Sequence, residues 1–307
     1  MPIDPVDKVW MNGKLVDWKD ATVHVLTHAL HYGSGVFEGL RCYETSRGPA
    51  VFRLREHMER MERSARIFQM EIPHSVDELM QGAFDVIEAN DLKECYVRPL
   101  AYRGFGGEMG VNPAANPVEV AIAVWSWGAY LGDDAVTKGV RVTFSSWRRG
   151  DPNIIPPSAK ATGAYINASM AKLEATQAGF DEALMLNPHG RVAEATGQNL
   201  FLVRDGELLT PPLVDGPLPG ITRASVIQIA RDQQMPIIET SLTRTDVYTA
   251  EELFLCGSAT EIIPIREVDG RTFEPGPITQ TLQAKYADIC RGKDEKYLDW
   301  LDFPSGA

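Results

Sequence analysis

Two hydrophobic periods alternate along this chain. Val9–Met11, Lys14–Val16 and the segment around Phe37–Tyr43 carry the β-branched and aromatic content of strands. A helical period takes over at Arg55–Phe68, where Met58, Met61, Ala65 and Phe68 form one stripe. Ser75-Val-Asp-Glu78 is a capping box. It opens a helix to about Ala89, with Leu79, Met80, Ala83, Phe84 and Ile87 at helical spacing. Cys95–Tyr102 and Val118–Trp125 then read as buried strands. The Gly- and Asp-rich stretch Ser126–Gly139 marks a domain boundary. Beyond it the pattern predicts a strand at Val140–Trp147, a Pro-rich loop at Asp151–Ser158, and a helix from Gly163 to Gln177 that stops at Gly179. A hairpin follows, Leu200–Val203 and Leu208–Thr210 around the turn pair Asp205-Gly206. A helix begins after Pro219-Gly220 and runs to about Gln234, and Leu253–Cys256 and Glu261–Ile265 are further strands. Helices and strands are interspersed in both halves, so the fold class is mixed, α+β.

Composition narrows the function. The 307 residues fit one large domain or two ordinary ones. A net charge of −12 disfavours nucleic acid and anionic lipid as partners. The first ten residues have no basic start before an apolar run, and no segment reaches the ~20 apolar residues that span a bilayer. Cys42, Cys95, Cys256 and Cys290 are scattered without C-x-x-C pairing, as expected of reduced thiols in the cytoplasm.

Several segments carry candidate chemistry. Lys160 lies between the Pro-rich loop and a helix, and no other charged residue occurs from Asn153 to Ala171. Small apolar neighbours desolvate a lysine, which favours the neutral, nucleophilic amine. The alternative is a loop lysine that reaches out to water. Ile221-Thr222-Arg223 opens a helix after Leu-Pro-Gly, where amides and the helix dipole suit a phosphate. Gly257-Ser258-Ala259-Thr260 is a second loop of small residues able to offer donors to a phosphate or carboxylate. Each, taken alone, is also an ordinary turn. Gly104–Gly110 misses the G-x-G-x-x-G spacing because Met109 stands at the third glycine's place, so no Rossmann site is expected. His24, His28 and His31 would share a helical face, but packed histidines explain them better than a metal, and no metal is expected. Arg149-Gly150-Asp151 reads as a turn, and Asn167-Ala-Ser169 as an incidental sequon. Tyr32, Phe37, Tyr96, Trp125, Trp127 and Tyr130 cluster near glycines, as core residues or pocket walls do.

Order and spacing tie these segments together. HALHYGSGVFEGLRCY (28–43), VFRLREHMERM (51–61), CYVRPL (95–100), GEMGVNP (107–113), SWGAYLG (126–132), IPPSAKATGAY (155–165), EATGQNLF (194–201), LPGITR (218–223) and CGSATEI (256–262) resemble the branched-chain amino acid aminotransferases. These are pyridoxal 5'-phosphate (PLP) enzymes of fold type IV, and the resemblance runs through nearly the whole chain. It implies two domains with the active site in the cleft between them. Here these would be a smaller domain over 1–126, a linker at 127–138, and a larger domain over 139–307 that carries the PLP lysine.

The resemblance also implies roles. Lys160 is the catalytic lysine that bonds PLP. Glu194 pairs with the pyridine nitrogen and Tyr165 with the ring oxygen. Arg60, the backbone at Ile221 and Thr222, and Ser258 hold the phosphate, and Leu218 packs on the ring. Asn199 is placed to orient Glu194. Phe37, Tyr165, Trp127 and Tyr130, with Tyr32, Met109 and Val111, line an apolar substrate pocket. Tyr32 and Val111 are lent by a neighbouring subunit, which makes the protein at least a dimer, with assembly of dimers into a hexamer also open. Tyr96 and the backbone of Ser258-Ala259 take the α-carboxylate, and Arg98 takes the distal carboxylate of glutamate. The implied reaction moves the amino group of L-leucine, L-isoleucine or L-valine to 2-oxoglutarate. A D-amino acid aminotransferase of the same fold is the alternative. Two departures stand out: Ser258 replaces a threonine, and the loop Arg103–Met109 is a residue longer.

Overall fold

A computed structural model describes residues 3–128 and 133–304. The chain divides into two compact units of similar size. The first comprises Met1–Trp127, Ala159–Ala164 and Ile289–Ala307; the second comprises Gly128–Ser158 and Tyr165–Asp288. This differs from the division expected from sequence, in which one C-terminal domain holds everything after residue 138. Backbone pairing explains the difference. Phe37 N–H donates to Lys160 O at 3.0 Å, Val36 bridges to Ala161, and Lys160 N–H donates to Ser64 Oγ at 3.1 Å. Lys160 therefore belongs to the first unit. At the C-terminus, Leu301 pairs with Phe52, and Arg53 N–H donates to Trp300 O at 2.7 Å.

The first unit contains strands β1 (Lys8–Met11), β2 (Lys14–Asp17), β3 (Gly35–Phe37), β4 (Leu40–Thr45), β5 (Gly48–Phe52), β6 (Cys95–Arg103) and β7 (Val118–Trp125). Its helices are α1 (His28–Tyr32), α2 (Leu54–Ile67) and α3 (Val76–Ala89). The sheet runs from the C-terminal strand Leu301–Asp302 through β5, β4, β6, β7, β1 and β2, with β3 also on β6. The expected capping box of α3 is present, with Ser75 Oγ accepting from Glu78 N–H and Glu78 accepting from Ser75 N–H. The single strand expected around Phe37–Tyr43 is two, broken at Glu38-Gly39, where Glu38 is fully buried.

Alternation sorts the two faces of this sheet. Val97, Ala101, Val120, Ile122 and Val124 meet Leu54, Met58, Met61 and Ala65 of α2 and Leu79, Ala83 and Ile87 of α3 in one core. Each buried Leu, Ile or Met there contributes roughly 1.5–3 kcal/mol. The opposite face carries Tyr96, Arg98, Leu100 and Tyr102 of β6, paired with Trp125, Ala123, Ala121 and Glu119 of β7. Thus the helices cover one side of β6, and the side left to do chemistry is the one bearing Tyr96 and Arg98.

The second unit contains β8 (Val140–Phe144), β9 (Glu182–Leu186), β10 (Val192–Ala195), β11 (Asn199–Arg204), β12 (Glu207–Thr210), β13 (Ile237–Glu239), β14 (Glu252–Gly257), β15 (Glu261–Val268) and β16 (Arg271–Thr272). Its helices are α4 (Asp133–Lys138), α5 (Tyr165–Gln177), α6 (Ile221–Asp232), α7 (Arg244–Tyr248) and α8 (Pro277–Cys290). Strand order is β10-β9-β8-β15-β14-β11-β12-β13, with β16 on β15. The parallel pair β8 and β9 flanks α5, a β-α-β crossover. The β11–β12 turn forms at Asp205 (φ 51°) and Gly206 (φ 73°), the left-handed pair that a two-residue hairpin requires. Leu184, Leu200, Leu202, Leu253, Leu255 and Ile263 form the core against Val140 and Val142. The strand expected over Val140–Trp147 ends at Phe144, where the hydroxyls of Ser145 and Ser146 donate to Glu174 instead.

Candidate active site

In the first unit, Lys160 is half-buried, and its Nζ stands 4.9 Å from the centroid of the Phe37 ring. Arg98 lies over the same ring at 4.9 Å and donates from Nη2 to Tyr96 Oη at 3.1 Å. Tyr96 stacks on Trp127, with centroids 4.5 Å apart, and Trp125 closes the cluster. The register explains this gathering. Phe37 opposes Leu100 in the β3–β6 pair, which sets it on the same face as Tyr96 and Arg98. Gly39 has no room for a side chain, since a Cβ would overlap the Tyr96 phenol. An amine, a guanidinium and a phenol thus converge on a wall of aromatic rings.

Arg60 sits behind this cluster on α2, 5% exposed. It donates from Nε to Glu38 Oε1 at 2.7 Å and from Nη2 to Glu38 Oε2 at 2.6 Å. His57 Nδ1 bonds the same Oε2 at 2.7 Å. Burial by itself would raise the Glu38 pKa, but the charge and hydrogen bonds of Arg60, then those of His57, hold it well below the usual carboxylate range. Burial pushes the His57 pKa down, and the positive charges of Arg60 and Lys160 add to the effect. The opposing pull of Glu38 is weaker, so the net direction is downward.

Tyr32, Met109 and Val111 are not part of this cluster. They are exposed, Val111 at 82%, on the surface of the first unit. His28 joins their two segments, with Nδ1 bonding Ser34 Oγ at 2.7 Å and Nε2 bonding Gly110 O at 2.8 Å. His31 Nε2 bonds Val25 O, and His24 accepts from Leu26 N–H and stacks on Phe105. Among the described residues no group of side chains could hold a metal ion. Tyr130 lies outside the described residues.

In the second unit, Glu194 is 4% exposed on β10. Arg149 Nη2 donates to its Oε1, and Asn199 Nδ2 donates to its Oε2 at 3.2 Å. Asn199 Nδ2 also donates to Leu218 O at 3.0 Å, which ties the acid to the loop before α6. Gly220 caps α6 without a side-chain bond, and a Cβ at this position would overlap Asn199 Oδ1. The helix N-terminus thus packs closely on Asn199, the residue that bonds Glu194, and Ile221 and Thr222 form the first turn of α6. The hydroxyls of Thr222 and Ser258 are 3.4 Å apart, so the two small-residue segments of the sequence meet at one place. Tyr165 is half-buried at the first turn of α5, and Ala259 follows Ser258 in the β14–β15 turn.

Sequence patterns did not point to Glu38, His57, Ser64 or Arg149. His57, Arg60 and Ser64 follow one helical stripe beside Met58 and Met61, and that polar stripe bordering an apolar one is the available signal. Arg149 reads as a turn residue because its partner is 45 positions away.

Known proteins resemble this chain over most of its length. The sequence profile of the family described as amino-transferase class IV matches residues 35–268. The branched-chain-amino-acid aminotransferase of Escherichia coli is 44% identical over 306 residues, covering 98% of this chain and 99% of that one. The crystal structure of a branched-chain aminotransferase from Thermoproteus uzoniensis with norvaline superposes with a TM-score of 0.93. It is 46% identical, over 96% of this chain and 98% of that one. A branched-chain amino acid aminotransferase from Thermobaculum terrenum, solved in its PLP form, gives a TM-score of 0.90 at 35% identity, over 97% and 98% of the two chains. The profile spans most of the chain and the relatives nearly all of it: this protein belongs to the class IV aminotransferase family.

Proposed function

We propose that this chain is a PLP-dependent transaminase that moves the amino group of L-leucine, L-isoleucine or L-valine to 2-oxoglutarate. The observation that carries the reading is the setting of Lys160. Its amine lies on an aromatic wall beside Arg98 and Tyr96, in a chain matched over nearly its whole length by branched-chain aminotransferases.

The donor set fits the cofactor. Glu194, buried and backed by Arg149, suits a protonated ring nitrogen. The amides at Ile221 and Thr222, with the hydroxyls of Thr222 and Ser258, suit a phosphate, and Ser258 keeps the hydroxyl of the threonine it replaces. Arg60 adds a fixed positive charge, Tyr165 a phenol for the ring oxygen, and Leu218 an apolar contact for the ring. When bound, PLP supplies the electron sink for the pair left as the substrate α-proton departs.

The chain's own groups do the rest. Lys160 Nζ holds the cofactor at rest, then takes the α-proton as base and returns it as acid. Phe37 presents its ring 4.9 Å from that amine. Tyr96 and the backbone of Ser258-Ala259 take the α-carboxylate. Phe37, Tyr165 and Trp127, completed by Tyr32, Met109 and Val111, would line the pocket for the apolar side chain. Arg98 is held at the edge by cation–π contacts to Phe37 and Tyr96, and it receives the distal carboxylate of glutamate. One pocket thereby accepts both substrates in turn, and ping-pong kinetics follow. L-leucine with 2-oxoglutarate should turn over at least a hundredfold faster than D-alanine with the same acceptor; the reverse order would replace this reading with a D-amino acid aminotransferase.

The exposed positions of Tyr32 and Val111 support a dimer in which each chain lends them to its neighbour. Leu30 is exposed beside them, 62%, in an apolar groove of roughly 560 Å³ lined also by Met11, Trp18, Leu100 and Tyr102. A second copy is the covering that completes the pocket. The mass in solution should be that of two chains or a multiple of two, and a monomer at working concentration would exclude the lent residues. We place the enzyme in the cytoplasm. The four cysteines are buried thiols, the state expected in a reducing compartment.

A further inference from the structure

We propose that Glu38 and His57 are positioning residues for the cofactor phosphate: Glu38 sets the Arg60 guanidinium, and His57 sets Glu38. The inference rests on the reading above, in which Arg60 binds that phosphate.

Glu38 and Arg60 form a side-on bidentate pair, engaging Nε and Nη2 together. Two parallel bonds fix the plane and rotation of a guanidinium, which one bond does not. The carboxylate is itself fixed at both ends. The backbone N–H of Glu38 donates to Pro99 O at 2.8 Å, in the break between β3 and β4, and the carboxylate Oε2 also bonds His57. His57 is 0% exposed and rides on α2 one turn before Arg60, with its N–H donating to Arg53 O. One sheet and one helix therefore specify where the Arg60 charge stands.

Stability alone gives little reason to keep such a group. Exchanging a buried ion pair for packed apolar side chains is often neutral or favourable. Met58, Met61 and Leu54 are fully buried on the same helix. A fixed arginine has a use that an apolar side chain lacks: it meets a dianionic group in a set geometry without reorganising. The placement on α2 adds a second reason. His57, Arg60 and Ser64 share one stripe of the helix, and Ser64 Oγ accepts the Lys160 backbone N–H. The same helix face that orients Arg60 also anchors the residue that bonds the cofactor. Glu38 follows Phe37 directly, the ring on which the Lys160 amine rests.

Phosphate-selective binding tests the proposal. The full-length chain, freed of cofactor, is titrated with PLP and with pyridoxal, which lacks the phosphate. Glu38→Gln should weaken PLP about tenfold or more, the scale of a lost charge-assisted bond. It should leave pyridoxal within about twofold. In an Arg60→Met background the same substitution should add no further loss of PLP affinity. Equal losses for the two ligands, or unchanged PLP affinity, would overturn the proposal, because a merely structural Glu38 does not distinguish them. If Glu38→Gln does not fold, His57→Gln leaves the ion pair in place and is read the same way. It should give a selective loss for PLP of about threefold, and a non-selective loss or none would again overturn the inference. A wild-type chain that binds PLP no more tightly than pyridoxal would instead refute the phosphate role of Arg60 itself.

Discussion

Lys160→Ala lowers the rate of L-leucine transamination by about 10⁴-fold or more and removes the visible absorbance of the bound cofactor. Removing a general base alone costs up to about 10⁴, and the covalent attachment is lost with it. The substitution is a clean one. The two bonds that hold this segment in the first unit, Lys160 N–H to Ser64 Oγ and Phe37 N–H to Lys160 O, use backbone atoms that alanine retains. Only the half-buried side chain over Phe37 disappears. The melting temperature of the cofactor-free chain should therefore change little, and added methylamine should restore part of the rate by supplying a base. A variant that keeps a tenth of the wild-type rate, or an unchanged spectrum, would remove Lys160 from the mechanism.

The second large effect is at Glu194. Glu194→Gln preserves size and one acceptor but loses the charge. Taking away one preorganised electrostatic group costs about 10²–10³ in kcat, so a fall of that size is expected in steady-state assays, with a smaller change in KM. Stability should fall as well. Arg149 is paired with Glu194 at 15% side-chain exposure, and removing one partner of a buried pair costs about 3 kcal/mol. The two losses are separable by urea unfolding and by rates measured where the variant is fully folded. If the rate falls only in proportion to the unfolded fraction, Glu194 is structural. Asn199 marks the boundary of the effect. It bonds both Glu194 and Leu218 O, so the acid's orientation depends on the loop before α6.

Much of the local structure was legible in the residue pattern. Ser75 to Glu78 announces the start of α3, because a capping box is written within four residues. Asp205-Gly206 announces its hairpin, because few residues accept left-handed backbone. The stripe Met58, Met61, Ala65 predicts the buried side of α2. Strands β5, β9 and β10 were less visible. β9 and β10 are buried on both faces, so they lack the alternation that marks a half-exposed strand. Of the candidate site, Lys160 and the two small-residue loops at Ile221 and Ser258 show in the residues themselves. Glu194, Arg60 and Tyr165 came only through the resemblance, since a lone acid, arginine or tyrosine has no local signature.

By itself, then, the sequence determined those helices, strands and turns that carry a local pattern, and which chemical groups are available: an isolated lysine, two donor loops, a set of aromatic rings. These depend on neighbours within one or two turns. Tertiary structure decided which of them meet. It returned Ala159–Ala164 and Ile289–Ala307 to the first unit through backbone pairing with β3 and β5. It buried Glu38 against Arg60, 22 positions away, and turned Arg149 from a turn residue into the partner of Glu194. The physical reason is the same in each case. A buried charge acquires its partner only from packing, and packing joins residues whose separation along the chain leaves no periodic trace.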